Sequence, residues 1–80
     1  MKNRSPEIKD SIRALLKQIR KEAGLRQVDL ATKLGKPQSY VSKYESGERS
    51  LDLVEVWEIC RAAGVEFSKF VKTLEEHLES

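Results

Sequence analysis

Residues 27–47 read Gln-Val-Asp-Leu-Ala-Thr-Lys-Leu-Gly-Lys-Pro-Gln-Ser-Tyr-Val-Ser-Lys-Tyr-Glu-Ser-Gly, the pattern of two short helices joined by a glycine turn. In the first, near residues 27–34, Leu30, Ala31 and Leu34 turn inward. In the second, near 38–46, only Val41 and Tyr44 form a clear inward pair. A helix with so little apolar surface does not stand alone, so other elements must hold it in place.

Working outward, the four glycines, Gly24, Gly35, Gly47 and Gly64, each sit just past an apolar-periodic stretch and divide the chain into five helices. Ser5 as N-cap and Pro6 at the first helical position open a helix expected over about 6–23, with Ile8, Ile12, Leu15, Leu16, Ile19 and Ala23 at three- and four-residue spacing. Asp52 followed by Glu55 resembles a capping box and opens a fourth helix running through Ala63. A fifth, about 67–78, aligns Phe67, Phe70, Val71, Leu74 and Leu78. No strand alternation, repeat or low-complexity segment is visible. The expected class is all-α, with residues 1–80 forming one domain.

Eighty residues bury only roughly 60% of the surface that the unfolded chain exposes. The core is therefore small, and an enzyme pocket is not expected. Cys60 is the sole cysteine and cannot close an intrachain disulfide; it lies at core spacing and reads as a small buried hydrophobe, with a redox role as the alternative. With no secretory or transit-like leader and no long apolar run, a cytoplasmic chain without membrane insertion is expected. His77 is the only histidine, with no second His or Cys nearby, so no metal site or cofactor is expected. No nucleophile–base pair, paired catalytic carboxylates or phosphate-cradling glycine loop is present either, and catalysis has no support.

The net charge of +2 conceals a gradient. Residues 1–49 carry 12 Lys and Arg against 6 Asp and Glu, whereas residues 50–80 carry 3 against 7. Ordinary solvated helix faces would account for this, but so would a front half that approaches a polyanion.

Gln27, Leu30-Ala31, Leu34-Gly35, Gln38-Ser39, Val41-Ser42-Lys43, Glu45 and Gly47 together resemble the phage-repressor-like helix-turn-helix regulators, the Cro/C1 or Xre type. The resemblance covers about residues 8–66, with the helix near 67–78 following. It implies a five-helix, lambda-repressor-like domain whose second and third helices read DNA, binding as a twofold dimer. It also implies that Arg20 pairs with Glu45, and that Gln27 binds phosphate and braces the recognition helix. Two positions depart from the family: Arg26 and Pro37 stand where it usually places a Ser or Thr N-cap. A guanidinium accepts no hydrogen bond, so the second helix must fray or be capped through Gln27 or Asp29. Proline at a helix start costs little.

On such a helix the N-terminal residues lie nearest the base edges. Gln38 can pair in bidentate fashion with adenine, Ser39 can donate or accept, and Lys43 can reach guanine or settle on a phosphate, with Ser42 a weaker candidate. The alternative for each is a solvent-facing position without contact. Tyr40 could lie against the DNA backbone or pack on Tyr44. Arg26, Lys36 and Arg49 are candidates for backbone contacts that add affinity without sequence information.

Leu53, Val54, Val56, Trp57, Ile59, Cys60 and Ala63 cover more of the fourth helix than one neighbour needs. Leu53, Val56, Ile59 or Cys60, and Ala63 are expected to close the core. Val54 and Trp57, with Phe70 and Leu74 of the fifth helix, are then available to a second subunit, although Trp57 could equally cap the chain's own core. A homodimer on a near-palindromic operator is expected, acting as a repressor or controller protein, with contact to RNA polymerase as a further route. Two other readings stay open: an antitoxin that also binds a toxin through the acidic last helix, and a protein-interaction module that has lost DNA binding.

Overall fold

The computed structural model describes residues 4–79; Met1, Lys2, Asn3 and Ser80, and with them the two ends of the expected 1–80 domain, lie outside the described residues. Five helices form, and no strand among the described residues: α1 Ser5–Glu22, α2 Gln27–Leu34, α3 Gln38–Ser46, α4 Leu53–Ala62 and α5 Phe67–Glu79. The class is all-α. The α1 boundary shifts by one residue at each end, because Ser5 is already helical and Arg4 occupies the N-cap position.

Local chemistry stops and starts the helices where the chain must turn. Gly35 and Gly47 end α2 and α3 at φ 68° and 90°, a left-handed conformation that costs a residue with a Cβ about 1 kcal/mol or more. At Gly47 a Cβ would also approach the Arg13 guanidinium carbon to 3.2 Å. The Asp52 carboxylate accepts the Glu55 amide at 2.8 Å and the Glu55 carboxylate accepts the Asp52 amide at 2.9 Å, a complete reciprocal cap on α4. At α2 only half of such a cap is chemically available: Asp29 accepts the Arg26 amide at 2.8 Å, and the guanidinium cannot accept from a backbone amide of the helix.

The core is built by Leu16 of α1, Leu30 and Ala31 of α2, Val41 and Tyr44 of α3, and Val56, Ile59 and Cys60 of α4, with Phe70 of α5 closing it. α2 packs on α3 and α4, α1 on α3, and α5 on α1 and α4. Full burial of a side chain such as Leu30 or Ile59 contributes about 1.5–3 kcal/mol relative to exposure. The short α3 therefore relies on Val41 and Tyr44, both completely buried. Burial pushes the Cys60 thiol up to about 11, so little thiolate exists near neutrality.

Two expectations are corrected. Leu53 is 71% exposed rather than in the core. It is the first residue of α4, and the half-buried Leu51 of the preceding turn packs against the core in its place. Phe70, expected to be available to a second subunit, is 4% exposed and belongs to the chain's own core. Phe70 lies on the face of α5 that packs on α1 and α4, so its ring is used up in the chain's own core. Leu74 is half-buried against the same cluster.

The Tyr44 hydroxyl is buried without a hydrogen-bond partner among the described residues, and burial raises its pKa well above the ordinary value. A stranded buried polar group costs about 1–3 kcal/mol. Tyr44→Phe, which keeps the ring and removes the oxygen, is expected to raise thermal stability by about 1 kcal/mol, or about 5 °C for a chain of this size, in a calorimetric melt. A lowered melting temperature would show that the hydroxyl has a stabilising role.

Candidate nucleic-acid interface

At about 3.6 residues per turn, α3 separates into two arcs. Val41, Tyr44 and Glu45 face the protein, while Gln38, Ser39, Ser42 and Lys43 lie together on the exposed arc. Pro37 at the N-cap supplies no side-chain acceptor, and the first turn contains no acid. The positive end of the helix dipole thus opens outward beside Gln38 and Ser39.

Behind the arc runs a polar chain linking three helices. The Arg20 guanidinium on α1 donates from Nε to Glu45 Oε2 at 2.7 Å and from Nη2 to Oε1 at 3.0 Å, a bidentate pair whose side chains are only 9% and 4% exposed. Arg20 Nη1 also donates to the Leu25 carbonyl at 2.8 Å, which fixes the α1–α2 turn. Hydrogen bonding to Glu45 raises the Arg20 pKa further, so the charge is kept in spite of burial. Gln27, the first residue of α2, donates to Glu45 Oε1 at 3.0 Å. Its own amide oxygen accepts from Gln38 Nε2 at 3.5 Å. The carboxylate is therefore satisfied from two helices, which is what makes its burial tolerable.

A second cluster borders the arc. The Tyr40 hydroxyl donates to Glu55 Oε2 at 3.1 Å, and Arg49 forms an ion pair with the same carboxylate oxygen. The Arg49 guanidinium lies 4.9 Å from the Tyr40 ring centroid and Lys36 Nζ lies 5.6 Å from it, both within cation–π range. Tyr40 also meets Tyr44 edge to face at 5.8 Å. Tyr40 thus packs on Tyr44, one of the two positions expected for it, with its hydroxyl donating to Glu55. Burial, aided by the Glu55 charge, pushes its pKa up to about 12.

The remaining basic candidates differ in how they are held. Arg26 is exposed and grips Asp29 through two bonds of 2.9 Å, whereas Lys43 projects from the last turn of α3. Val54 and Trp57 on α4 are 65% and 44% exposed, and the Arg61 guanidinium lies 5.3 Å from the indole ring. With Leu53 they form an exposed apolar strip on α4. The sequence signals that could be read were local; the Gln27–Glu45 and Tyr40–Glu55–Arg49 contacts join residues separated by a turn or more of chain and have no local signature.

Among the described residues, no group of His, Cys, Asp and Glu comes together in a way that could hold a metal ion, and no helix is long and apolar enough to cross a membrane.

Two consecutive short helices, the second with an exposed polar arc and both clamped to a helical scaffold, define a helix-turn-helix protein. The Helix-turn-helix family model matches residues 16–70, more than half of the chain, and the chain belongs to this Xre, or Cro/C1, family of DNA-binding regulators. An XRE-family like protein from Pseudomonas syringae pv. tomato str. DC3000 superposes with a TM-score of 0.85 at 38% identity, over 90% of this chain and 88% of that one. The restriction-modification controller protein C.Esp1396I, solved as a tetramer in complex with its natural 35 base-pair operator, gives 0.82 at 26% identity over 91% and 96%. The clp gene regulator ClgR from C. glutamicum, at 19% identity and a TM-score of 0.75 over 86% and 88%, shares the fold. No curated protein matches by sequence.

The Arg26–Asp29 pair gives the start of α2 an acid dependence. Hydrogen bonds from the Arg26 side chain, then from its backbone amide, hold the Asp29 carboxyl below its ordinary 3.8, at about 2. A carboxyl depressed in the folded state contributes stability that is fully present above its unfolded pKa and is lost as pH falls through the folded one. The difference in melting temperature between wild type and Asp29→Asn is expected to be constant above about pH 4 and to close as pH falls toward about 2. A gap independent of pH would mean that the charge on Asp29 contributes nothing.

Proposed function

We propose that the protein is a sequence-specific transcriptional regulator that binds a near-palindromic operator as a homodimer, with α3 in the major groove. The observation that carries this reading is the arc of Gln38, Ser39, Ser42 and Lys43, exposed on the side of α3 opposite its buried anchors and braced from behind by Gln27 and Glu45. Gln38 is the principal base reader, since a primary amide matches the donor and acceptor of adenine in the major groove. Ser39, Ser42 and Lys43 add further contacts along the same face. Gln27, Arg26, Lys36 and Arg49 sit at the ends of α2 and α3, where a docked duplex brings its phosphates, and supply affinity that falls with salt.

The dimer reading is supported by the exposed Val54 and Trp57 together with Leu53, an apolar strip that a single chain leaves in water. The relation to a controller protein that assembles on operator DNA supports the same arrangement. Two recognition helices would then enter successive major grooves, roughly 34 Å apart. Regulation follows from occupying a promoter.

Selection of bound duplexes from a random pool tests this. Wild type is expected to enrich a palindromic motif and to bind it with a steep salt slope, and Gln38→Ala is expected to relax preference at one position per half-site, losing about 1–3 kcal/mol of discrimination there. Absence of any enriched motif, with weak salt dependence, would contradict the proposal.

A further inference from the structure

The Glu55 carboxylate is a counterintuitive neighbour for a surface that meets DNA. A negative charge next to Arg49 repels phosphate, so on charge alone it weakens binding. Its geometry argues for a different role. One oxygen is fixed by the Asp52 amide at 2.9 Å, so the side chain is anchored to the first turn of α4 and is only 19% exposed. The other oxygen takes the Tyr40 hydroxyl at 3.1 Å and the Nη2 end of Arg49. Arg49 is thereby laid against the Tyr40 ring, 4.9 Å from its centroid, at the edge of the α3 arc. That ion pair engages one end of a guanidinium that carries five N–H donors, leaving a preset fork for a second acceptor. A free arginine loses rotamer freedom when it docks, and one already pinned has lost it in advance.

We infer that Glu55 is a positioning residue for DNA recognition: anchored by the α4 cap, it holds Tyr40 and Arg49 as one rigid unit, so that Arg49 meets the operator backbone in a single geometry. The inference rests on the reading of α3 as a DNA-binding helix. It assigns to Glu55 a contribution opposite in sign to that of its charge.

The test measures binding to the selected operator and to a scrambled duplex of equal length by wild type, Glu55→Gln, Arg49→Ala and the double variant. Glutamine keeps the shape and one acceptor oxygen for the Asp52 amide, while the NH2 that replaces the second oxygen can donate to the Tyr40 hydroxyl oxygen but carries no charge to hold Arg49. Glu55→Gln is expected to weaken operator binding about fivefold, even though it makes the protein more positive, and to leave scrambled binding unchanged or tighter. In the Arg49→Ala background the same substitution is expected to have no further effect on the operator. Tyr40→Phe, which keeps the ring and drops one tether, is expected to weaken operator binding alone and serves as the independent variant if Glu55→Gln melts early. Tighter binding of Glu55→Gln to both duplexes, or an equal loss with and without Arg49, overturns the inference while the DNA-binding reading stands. Failure of wild type to prefer the operator over scrambled DNA overturns that reading itself.

Discussion

The ion pair between Arg20 and Glu45 is the constraint on which the rest of the arrangement depends. It ties the long first helix to the short third one through two bonds of 2.7 and 3.0 Å in a place nearly closed to water. Removing one partner of such a pair costs about 3–5 kcal/mol, because the other charge is left buried and alone. The helix it secures has nine residues and only two fully buried side chains, Val41 and Tyr44. An isolated helix of that length is marginal in water. Apolar burial holds α3 down, and the ion pair fixes its rotation about its own axis, which decides whether Gln38 and Ser39 or their neighbours face outward.

The same carboxylate links scaffold to surface. Glu45 receives Gln27, and Gln27 receives Gln38, so a chain of four side chains runs from the interior of α1 to the exposed tip of α3. A side chain held this way has fewer rotamers to lose if it docks on a partner. Around the other edge of the arc, Glu55 does for Arg49 and Tyr40 what Glu45 does for Gln27. Both acids point at cations or amides that otherwise sway in solvent. Two acidic residues, Glu45 and Glu55, thus hold polar and basic side chains at the border of the α3 arc.

Most of the architecture was legible in the chain because helix ends carry local chemistry. Gly35 and Gly47 take the positive φ that their places after α2 and α3 suggest, and Asp52 and Glu55 make the reciprocal cap that their spacing implies. The inward positions of α2 and α3 follow from periodicity. Leu53 shows where periodicity runs out: it shares a helical face with Val56, yet it stands 71% exposed at the first position of α4 while Leu51 of the preceding turn packs against the core. Phe70 shows the converse, a residue whose spacing allows either an outer or an inner neighbour and which the packing of α5 on α1 and α4 assigns to the interior. Tyr40 and Arg49 could be singled out by type and place, but not their shared partner, since a bond between α3 and α4 leaves no trace in either segment alone. At the site, the outward arc was readable from sequence and the Arg20–Glu45 pair and the bracing Gln27 from the family resemblance, whereas the Gln27–Glu45 bond and the Tyr40–Glu55–Arg49 cluster came into view only with the fold.

The central claim is that the Arg20–Glu45 pair, and not apolar packing alone, locks α3 onto the scaffold. Native-state hydrogen exchange on wild type and Arg20→Met tests it most directly, because it resolves local from global opening helix by helix. The account predicts that in Arg20→Met the amides of residues 41–47 exchange through a local opening well below the global unfolding free energy, while those of Leu16 and Ile59 still follow global unfolding. If the α3 amides instead lose protection only in step with Leu16 and Ile59, the pair stabilises the whole fold without locking α3, and the account is contradicted.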